Sequence, residues 1–149
     1  MSDSDKKILG ELYMICAENA QYIQNLLYKV EDEELNTDMN RQLGKCISYK
    51  NRIENKIENK VSDMSDKGLL QSTVNKIKIW SEIQRKTAFN NSTVHLAKLL
   101  IGDDSKRIAY ILKVMHDYPE SECCELAKEL IEFEEMNIEE LKYYLSKQS

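Results

Sequence analysis

The stretch from residue 127 to residue 145 constrains the fold most strongly, because its apolar residues recur with the period of an α-helix. Spacings of three and four residues place these side chains on one stripe and its edge: Ala127, Leu130, Ile131, Glu134, Ile138, Leu141 and Leu145. A strand would instead alternate apolar and polar residues with a period of two. The stretch therefore predicts a long amphipathic helix that buries one acid, Glu134, near its centre.

Other segments show the same periodicity, and the predicted helices cover 4–31, 36–62, 69–88, 92–117 and 120–147. The break at 89–93 contains two asparagines, which disfavour helix, and Ser92 suits the N-cap of the helix that follows. One kinked helix across this break is the alternative. Helix breakers are scarce, with four glycines and one proline in 149 residues, which favours long helices over a turn-rich β fold.

The apolar stripes give each predicted helix a buried side. In 92–117 that side contains Ala97, Ile101, Asp104, Ile108, Ile111 and Met115. In 69–88 it contains Leu70, Val74, Ile77, Trp80 and Ala88. Short links after the first and fourth helices predict antiparallel hairpins. The predicted fold is all-α, an up-down antiparallel four-helix bundle in a single domain, 1–149, with the shorter helix 69–88 between the two hairpins.

Each of the four long helices places one polar residue on its apolar side, near its predicted midpoint: Asn19, Lys50, Asp104 and Glu134. Because midpoints meet in antiparallel hairpins of equal length, we expect these side chains to share one buried layer. An amine, an amide and two acids can satisfy one another there, whereas an unpaired buried charge would neutralise itself. The layer is interpreted either as a structural network that sets helix register or as a ligand or metal site at the core.

Long helix hairpins, a connecting segment before the second hairpin and carboxylates aimed at the core together resemble the ferritin-like four-helix bundles, over most of the chain. The resemblance implies a metal site built from Glu-x-x-His on two helices and a Glu on each of the others. Asp104 and Glu134 match as carboxylate ligands, with Asn19 as a neutral one. His95 and His116 have no carboxylate three residues before them, and helix 36–62 offers Lys50 instead of an acid. The resemblance thus implies a member of the family that lacks the oxidative metal centre. The alternative is a member that binds iron, manganese or zinc.

The net charge of −5 is unevenly distributed, with basic residues concentrated in 41–60 and glutamates in 120–140. We interpret these segments as complementary and solvated helix surfaces. The alternative is a nucleic-acid or acidic-partner surface on helix 36–62, formed by Arg52, Lys56 and Lys60. The net negative charge of the chain and the lack of interleaved aromatic residues in the basic stretch disfavour nucleic-acid binding.

The cysteines and the N-terminus predict a cytoplasmic protein. None of the four cysteines forms C-x-x-C, so they are interpreted as small buried residues of a reducing compartment; zinc bound by Cys123 or Cys124 with His116 is an alternative that lacks the usual ligand spacing. The N-terminal residues contain no apolar signal-peptide core, and no apolar run approaches the ~18 residues of a membrane span.

No nucleophile-and-base motif or glycine-rich phosphate loop occurs in the sequence, so no catalytic residue is assigned. The leading expectation is a non-enzymatic structural, assembly or protein-interaction role, with a protein partner or a homodimer. The first alternative is a ferritin-like bundle that binds a metal or small ligand at its core. The second is nucleic-acid or acidic-partner binding through helix 36–62.

Overall fold

The computed structural model describes residues 1–57, 78–88, 90 and 92–148 of the chain. The helices are α1 (Asp3–Leu27), α2 (Glu33–Ile57), a helical segment at 78–87 that we name α3, α4 (Thr93–Asp117) and α5 (Cys124–Ser146). Strands are absent from the described residues. The predicted all-α class is therefore confirmed.

Capping residues move some helix ends away from their predicted positions. The chain was expected to be a link at 31–34, but Asp32 Oδ2 accepts a hydrogen bond from Leu35 N at 3.2 Å, and α2 begins directly after Asp32. Glu33 and Glu34 complement the helix dipole in its first turn. Ser92 acts as predicted, since its hydroxyl accepts from His95 N at 3.3 Å and starts α4 after the break. Residues 78–87 and α4 are thus separate helices.

Residue contacts divide the chain into two compact units. The first unit consists of Met1–Leu12 and Ser92–Ser149, and the second of Tyr13–Asn91. The single-domain and four-helix predictions concern the two units together, and both stay predictions.

In the first unit, α4 and α5 pack against each other as an antiparallel hairpin joined by the turn at 118–123. Helix α5 was expected to begin near Glu120, but it begins at Cys124. The reason is that Asp5 binds the turn: its Oδ1 accepts from Ser121 Oγ at 2.5 Å and from Glu122 N at 3.1 Å. The start of α1 is thereby tied to the α4–α5 turn.

The buried side of α4 differs by one position from the predicted stripe. Its buried residues are Leu96, Ala97, Leu100, Asp104, Arg107, Ile111 and Val114. Ile101, Ile108 and Met115, which were predicted to be buried, are only half-buried. Helix α5 shifts in the same way, with Phe133 and Asn137 buried while Ile131, Ile138 and Leu145 are half-buried. Both helices carry two adjacent apolar stripes, and packing of the hairpin decides which one faces inward.

The core of the second unit contains Ile23 and Leu26 of α1, Leu35, Met39 and Ile53 of α2, and Ile83 of α3. Trp80 and Ala88 were predicted to be buried, but Trp80 is 55% exposed and Ala88 is also exposed. The buried positions of α3 are Ile83 and Thr87 instead, and the Thr87 hydroxyl donates to Ile83 O at 2.7 Å. That bond satisfies the buried Thr87 hydroxyl, which the sequence periodicity would place on the exposed side of the helix. Leu70, Val74, Ile77 and the loop expected at 62–68 lie outside the described residues.

Candidate functional site

The middle of the α4–α5 hairpin contains a buried cluster of one cation and its carboxylate partners. Arg107 Nη1 donates to Asp104 Oδ1 at 3.0 Å and to Glu134 Oε2 at 3.2 Å. Its other terminal nitrogen, Nη2, donates to Asp103. The side chains of Arg107, Asp104 and Glu134 are 8%, 2% and 2% exposed, so water takes almost no part in these contacts.

Helix geometry explains why these residues meet. Asp103 and Asp104 precede Arg107 by four and three residues, which places all three on one side of α4. Across the hairpin, Arg107 lies as far before the end of α4 as Glu134 lies after the start of α5. Antiparallel packing therefore brings Glu134 opposite the Asp104–Arg107 turn.

The cluster raises the pKa of the Asp104 carboxyl above its ordinary value. Burial raises the pKa of the Asp104 carboxyl, and the negative charge of Glu134 raises it further, while Arg107 opposes both effects only in part. The two acids share a hydrogen bond that favours the protonated form of Asp104 and the ionised form of Glu134. Among the described residues, no donor reaches Asp104 Oδ2, which fits the raised pKa of this carboxyl.

Arg107 stays charged despite its burial. Burial alone would lower the pKa of the guanidinium, but the charges of Glu134, Asp103 and Asp104 outweigh it, so that pKa is raised. For Glu134, burial raises the carboxyl pKa, and Arg107 offsets that effect in part. The guanidinium is paired with Asp104 and Glu134 inside the hairpin and with Asp103 at its edge. The cluster is internally compensated.

These residues do not fit the metal centre that the ferritin-like resemblance implies. A divalent ion shared by Asp104 and Glu134 would need the space between the two carboxylates, and Arg107 Nη1 occupies it with hydrogen bonds to both. Within the described ranges, no group of three His, Cys, Asp or Glu side chains is arranged to hold a metal ion. A guanidinium also repels a second cation.

The structure places the other two members of the predicted layer in the second unit. Asn19 is buried in α1 at 2% exposure. Lys50 was predicted to be a buried amine, but it is only half-buried, with Nζ lying 5.6 Å from the centre of the Tyr13 ring. Its long side chain reaches the helix edge and contacts an aromatic face instead. The cation beside Asp104 and Glu134 is Arg107, and a layer formed by all four predicted residues stays a prediction.

On the predicted basic surface of α2, Arg52 and Lys56 are exposed, as such a surface requires. Lys60 lies outside the described residues.

Six buried polar residues were not predicted from the sequence: Asp5, Gln42, Thr87, Arg107, Ser121 and Asn137. Arg107 was overlooked because a long basic side chain near an apolar stripe is usually solvated, although the Asp103-x-x-x-Arg107 spacing signals an ion pair on one helix face. Asn137 is fully buried one turn after Glu134. Gln42 is fully buried in α2, where its Nε2 donates to Asp38 Oδ2 at 3.0 Å. No sequence signal pointed to Asn137 or Gln42.

The fold and the site together define an all-helical protein with a compensated ion cluster inside a helix hairpin. No protein-family model, no curated protein sequence and no solved structure matches this chain. The ferritin-like resemblance therefore rests on the predicted architecture alone. Crossing a bilayer takes a long apolar helix, and none of the helices within the described residues is one.

Proposed function

We propose that the protein is a non-enzymatic helical bundle with a structural, assembly or protein-interaction role, in which α1, α2, α4 and α5 form an up-down antiparallel four-helix bundle. The observation that carries this proposal is the position of Arg107. Its guanidinium donates hydrogen bonds to both Asp104 and Glu134, the most deeply buried acids of the hairpin. Acids engaged in this way hold helices in place and are not free to ligate metal or transfer protons to a substrate.

The cluster acts in this proposal as a register lock. One residue of slip moves a helix by ~1.5 Å and one turn by ~5.4 Å along its axis. Either displacement would separate Arg107 from Glu134 and leave a buried charge without its partner, which costs about 3–5 kcal/mol. The apolar stripes of α4 and α5 alone discriminate less strongly between registers, because each helix carries a second half-buried stripe. A fixed hairpin register is what a rigid assembly module needs.

A protein partner or a second copy of the chain is part of the proposal. In the first unit, Leu112 on α4 and Met136 and Tyr143 on α5 are each more than half exposed. Met136 and Tyr143 are one heptad apart and therefore share a helix face. Exposed apolar residues that repeat along one face are typical of surfaces that other proteins cover. The proposal includes a cytoplasmic location, which is supported by four cysteines that do not form disulfides with one another.

The test has two parts. Metal analysis of the purified full-length protein is expected to find less than stoichiometric iron, manganese and zinc, with no change in Glu134→Ala. Stoichiometric metal that is lost in Glu134→Ala would instead establish the metal-binding bundle. Light scattering over a range of protein concentrations, with Met136→Gln/Tyr143→Gln, tests the interaction role. Self-association that weakens in this variant but not in the nearby Lys142→Gln variant supports it.

A further inference from the structure

The exposed side of α2 carries a long surface without carboxylates. Between Met39 and Ile53 every charged residue is basic, although the whole chain has a net charge of −5. The carboxylates that border this stretch are engaged: Asp38 Oδ1 accepts from Arg41 Nη2 at 2.9 Å, and Glu54 is half-buried and accepts from Tyr13 OH at 2.9 Å. Between Met39 and Ile53 the exposed charges of α2 are therefore all basic.

Three exposed cations form one row along this face: Lys45, Arg52 and Lys56. The spacing from Lys45 to Arg52 is seven residues and from Arg52 to Lys56 four, so the three side chains lie on nearly the same line along the helix. At ~1.5 Å per residue the row spans about 16 Å. Cations spaced in this way can contact several charges of an extended anion at once.

Beside this row lies a stripe of small or uncharged polar residues, all of them exposed: Thr37, Asn40, Gly44, Ser48, Asn51 and Asn55. No atom lies within 4 Å of the position that a Cβ on Gly44 would occupy, so a partner can approach the helix backbone there. Hydroxyl and amide groups with Lys and Arg are the side chains that donate hydrogen bonds to phosphate oxygens. Both the charges and the hydrogen-bonding groups of the face fit a polyphosphate backbone.

The same face favours duplex over single-stranded nucleic acid. Single strands are bound largely by stacking of bases on aromatic side chains. The described residues of α2 include one aromatic, Tyr49, which is half-buried and lies off the exposed centre. A B-form major groove, ~12 Å wide, admits an α-helix, whereas the deep, narrow major groove of duplex RNA does not. The face is thus suited to duplex DNA.

We propose that the exposed face of α2, defined by Lys45, Arg52, Lys56 and the neighbouring polar stripe, binds the phosphate backbone of duplex DNA. The acidic remainder of the molecule does not prevent this, because salt screens exposed charges beyond ~8–10 Å. Because this face contacts the phosphate backbone of DNA and the acidic remainder of the protein repels DNA only weakly, the binding is non-specific in sequence and strongly dependent on salt. This activity is independent of the α4–α5 cluster and adds to the assembly role.

The experiment uses the full-length protein and a labelled duplex DNA of about 20 base pairs, with fluorescence anisotropy measured between about 50 and 200 mM salt. If three phosphates are neutralised, log K should fall against log salt with a slope of about −2.7. Lys45→Gln/Arg52→Gln/Lys56→Gln should weaken binding at least about tenfold and flatten the slope. All three residues are exposed, so the variant should keep the circular dichroism spectrum and melting temperature of the parent.

The matched control is Lys106→Gln/Lys113→Gln/Lys142→Gln, which removes the same charge from exposed positions of α4 and α5. It should bind as the parent does. Asn51→Asp, which puts one acid into the face, should weaken binding on its own. Absence of binding by the parent protein at low salt, equal loss in the control, or tighter binding to single-stranded DNA or to an acidic peptide would each overturn the proposal.

Discussion

Arg107 on α4 and Glu134 on α5 form an ion pair with 3.2 Å between Nη1 and Oε2, although each side chain is less than a tenth exposed. The pair joins two helices whose remaining contacts are mostly apolar. Removing two charges from water offsets much of their attraction, so such a pair contributes more to the alignment of the helices than to net stability. Removing only one partner of the pair nevertheless costs stability, so the contribution of the cluster can be measured directly.

Replacing Arg107 by methionine should strongly destabilise the protein. Met fills a similar volume but leaves Glu134 and Asp103 without their buried counter-charge, and we expect a loss of about 3–5 kcal/mol at neutral pH. Urea unfolding followed by circular dichroism measures it. The adjacent exposed residue gives the control, since Lys106→Met should change stability by less than ~0.5 kcal/mol. Equal effects of the two substitutions would show that the guanidinium is solvated.

Two substitutions at Glu134 should separate its charge from its hydrogen bonds. Glu134→Ala leaves Arg107 without its main partner and opens a cavity, so we expect a loss of about 3 kcal/mol or more. Glu134→Gln keeps an acceptor for Arg107 and should lose only about 1–2 kcal/mol, because Asp104 can then ionise and take over part of the charge balance. The midpoints of urea unfolding test this order. Negligible effects of both would mean that Glu134 is not buried in solution.

The raised pKa of Asp104 should make stability fall as pH rises. Its pKa is raised in the folded state, so between the unfolded value, near 3.8, and the folded value the native protein holds a proton that the unfolded chain releases. The contribution of Asp104 to stability is therefore complete below pH 3.8 and is lost as pH rises through the folded pKa. Urea midpoints at about pH 5, 7 and 9 measure this decline. Asp104→Asn cannot ionise and should show a shallower decline; an unchanged slope would place the titration elsewhere.

Asp5 should contribute pH dependence of the opposite sign. Its hydrogen bond from Ser121 and those from the backbone of the turn and of Ser2 lower the pKa of the carboxyl to about 2. The stabilisation is present above pH 3.8 and is lost as pH falls from 3.8 towards 2. Asp5→Asn should lower the melting temperature at neutral pH and differ less from the parent near pH 2. Asp3→Asn is the control, because Asp3 is exposed. Equal effects at both positions would refute the stabilising contact between Asp5 and the turn at 118–123.

Gly102→Ala should stabilise α4. The glycine lies inside the helix, and no atom lies within 4 Å of the position that the added Cβ would occupy. Alanine loses less backbone entropy on folding than glycine, so we expect a gain of about 0.5–1 kcal/mol and a higher melting temperature. Thermal unfolding measures the gain. A loss of stability would mean that a partner surface or another part of the chain covers this position.

Local rules predicted the helices well and the buried polar chemistry only in part. Ser92 was identified as an N-cap because a hydroxyl before an apolar repeat needs no distant partner to act. Asp104 and Glu134 were singled out because each interrupts an apolar stripe, and the structure brings them together. Lys50 was assigned as their cation because it has the right charge and spacing, but its side chain lies over Tyr13. Arg107 was missed because, on a helix wheel alone, it lies at the edge of the predicted stripe.

By itself, the sequence determined the all-helical class, four of the long amphipathic segments and the presence of an acid in the apolar stripe of α4 and of α5. These properties depend on interactions within a few residues along one helix, so composition and spacing are sufficient to predict them. Only the tertiary structure decided which of two adjacent stripes faces inward, which cation balances Asp104 and Glu134, and how burial shifts the pKa values of these acids. Those outcomes depend on the rotation and register of α5 against α4 and on the exclusion of water between them. None of these three properties is encoded at a single position of the chain.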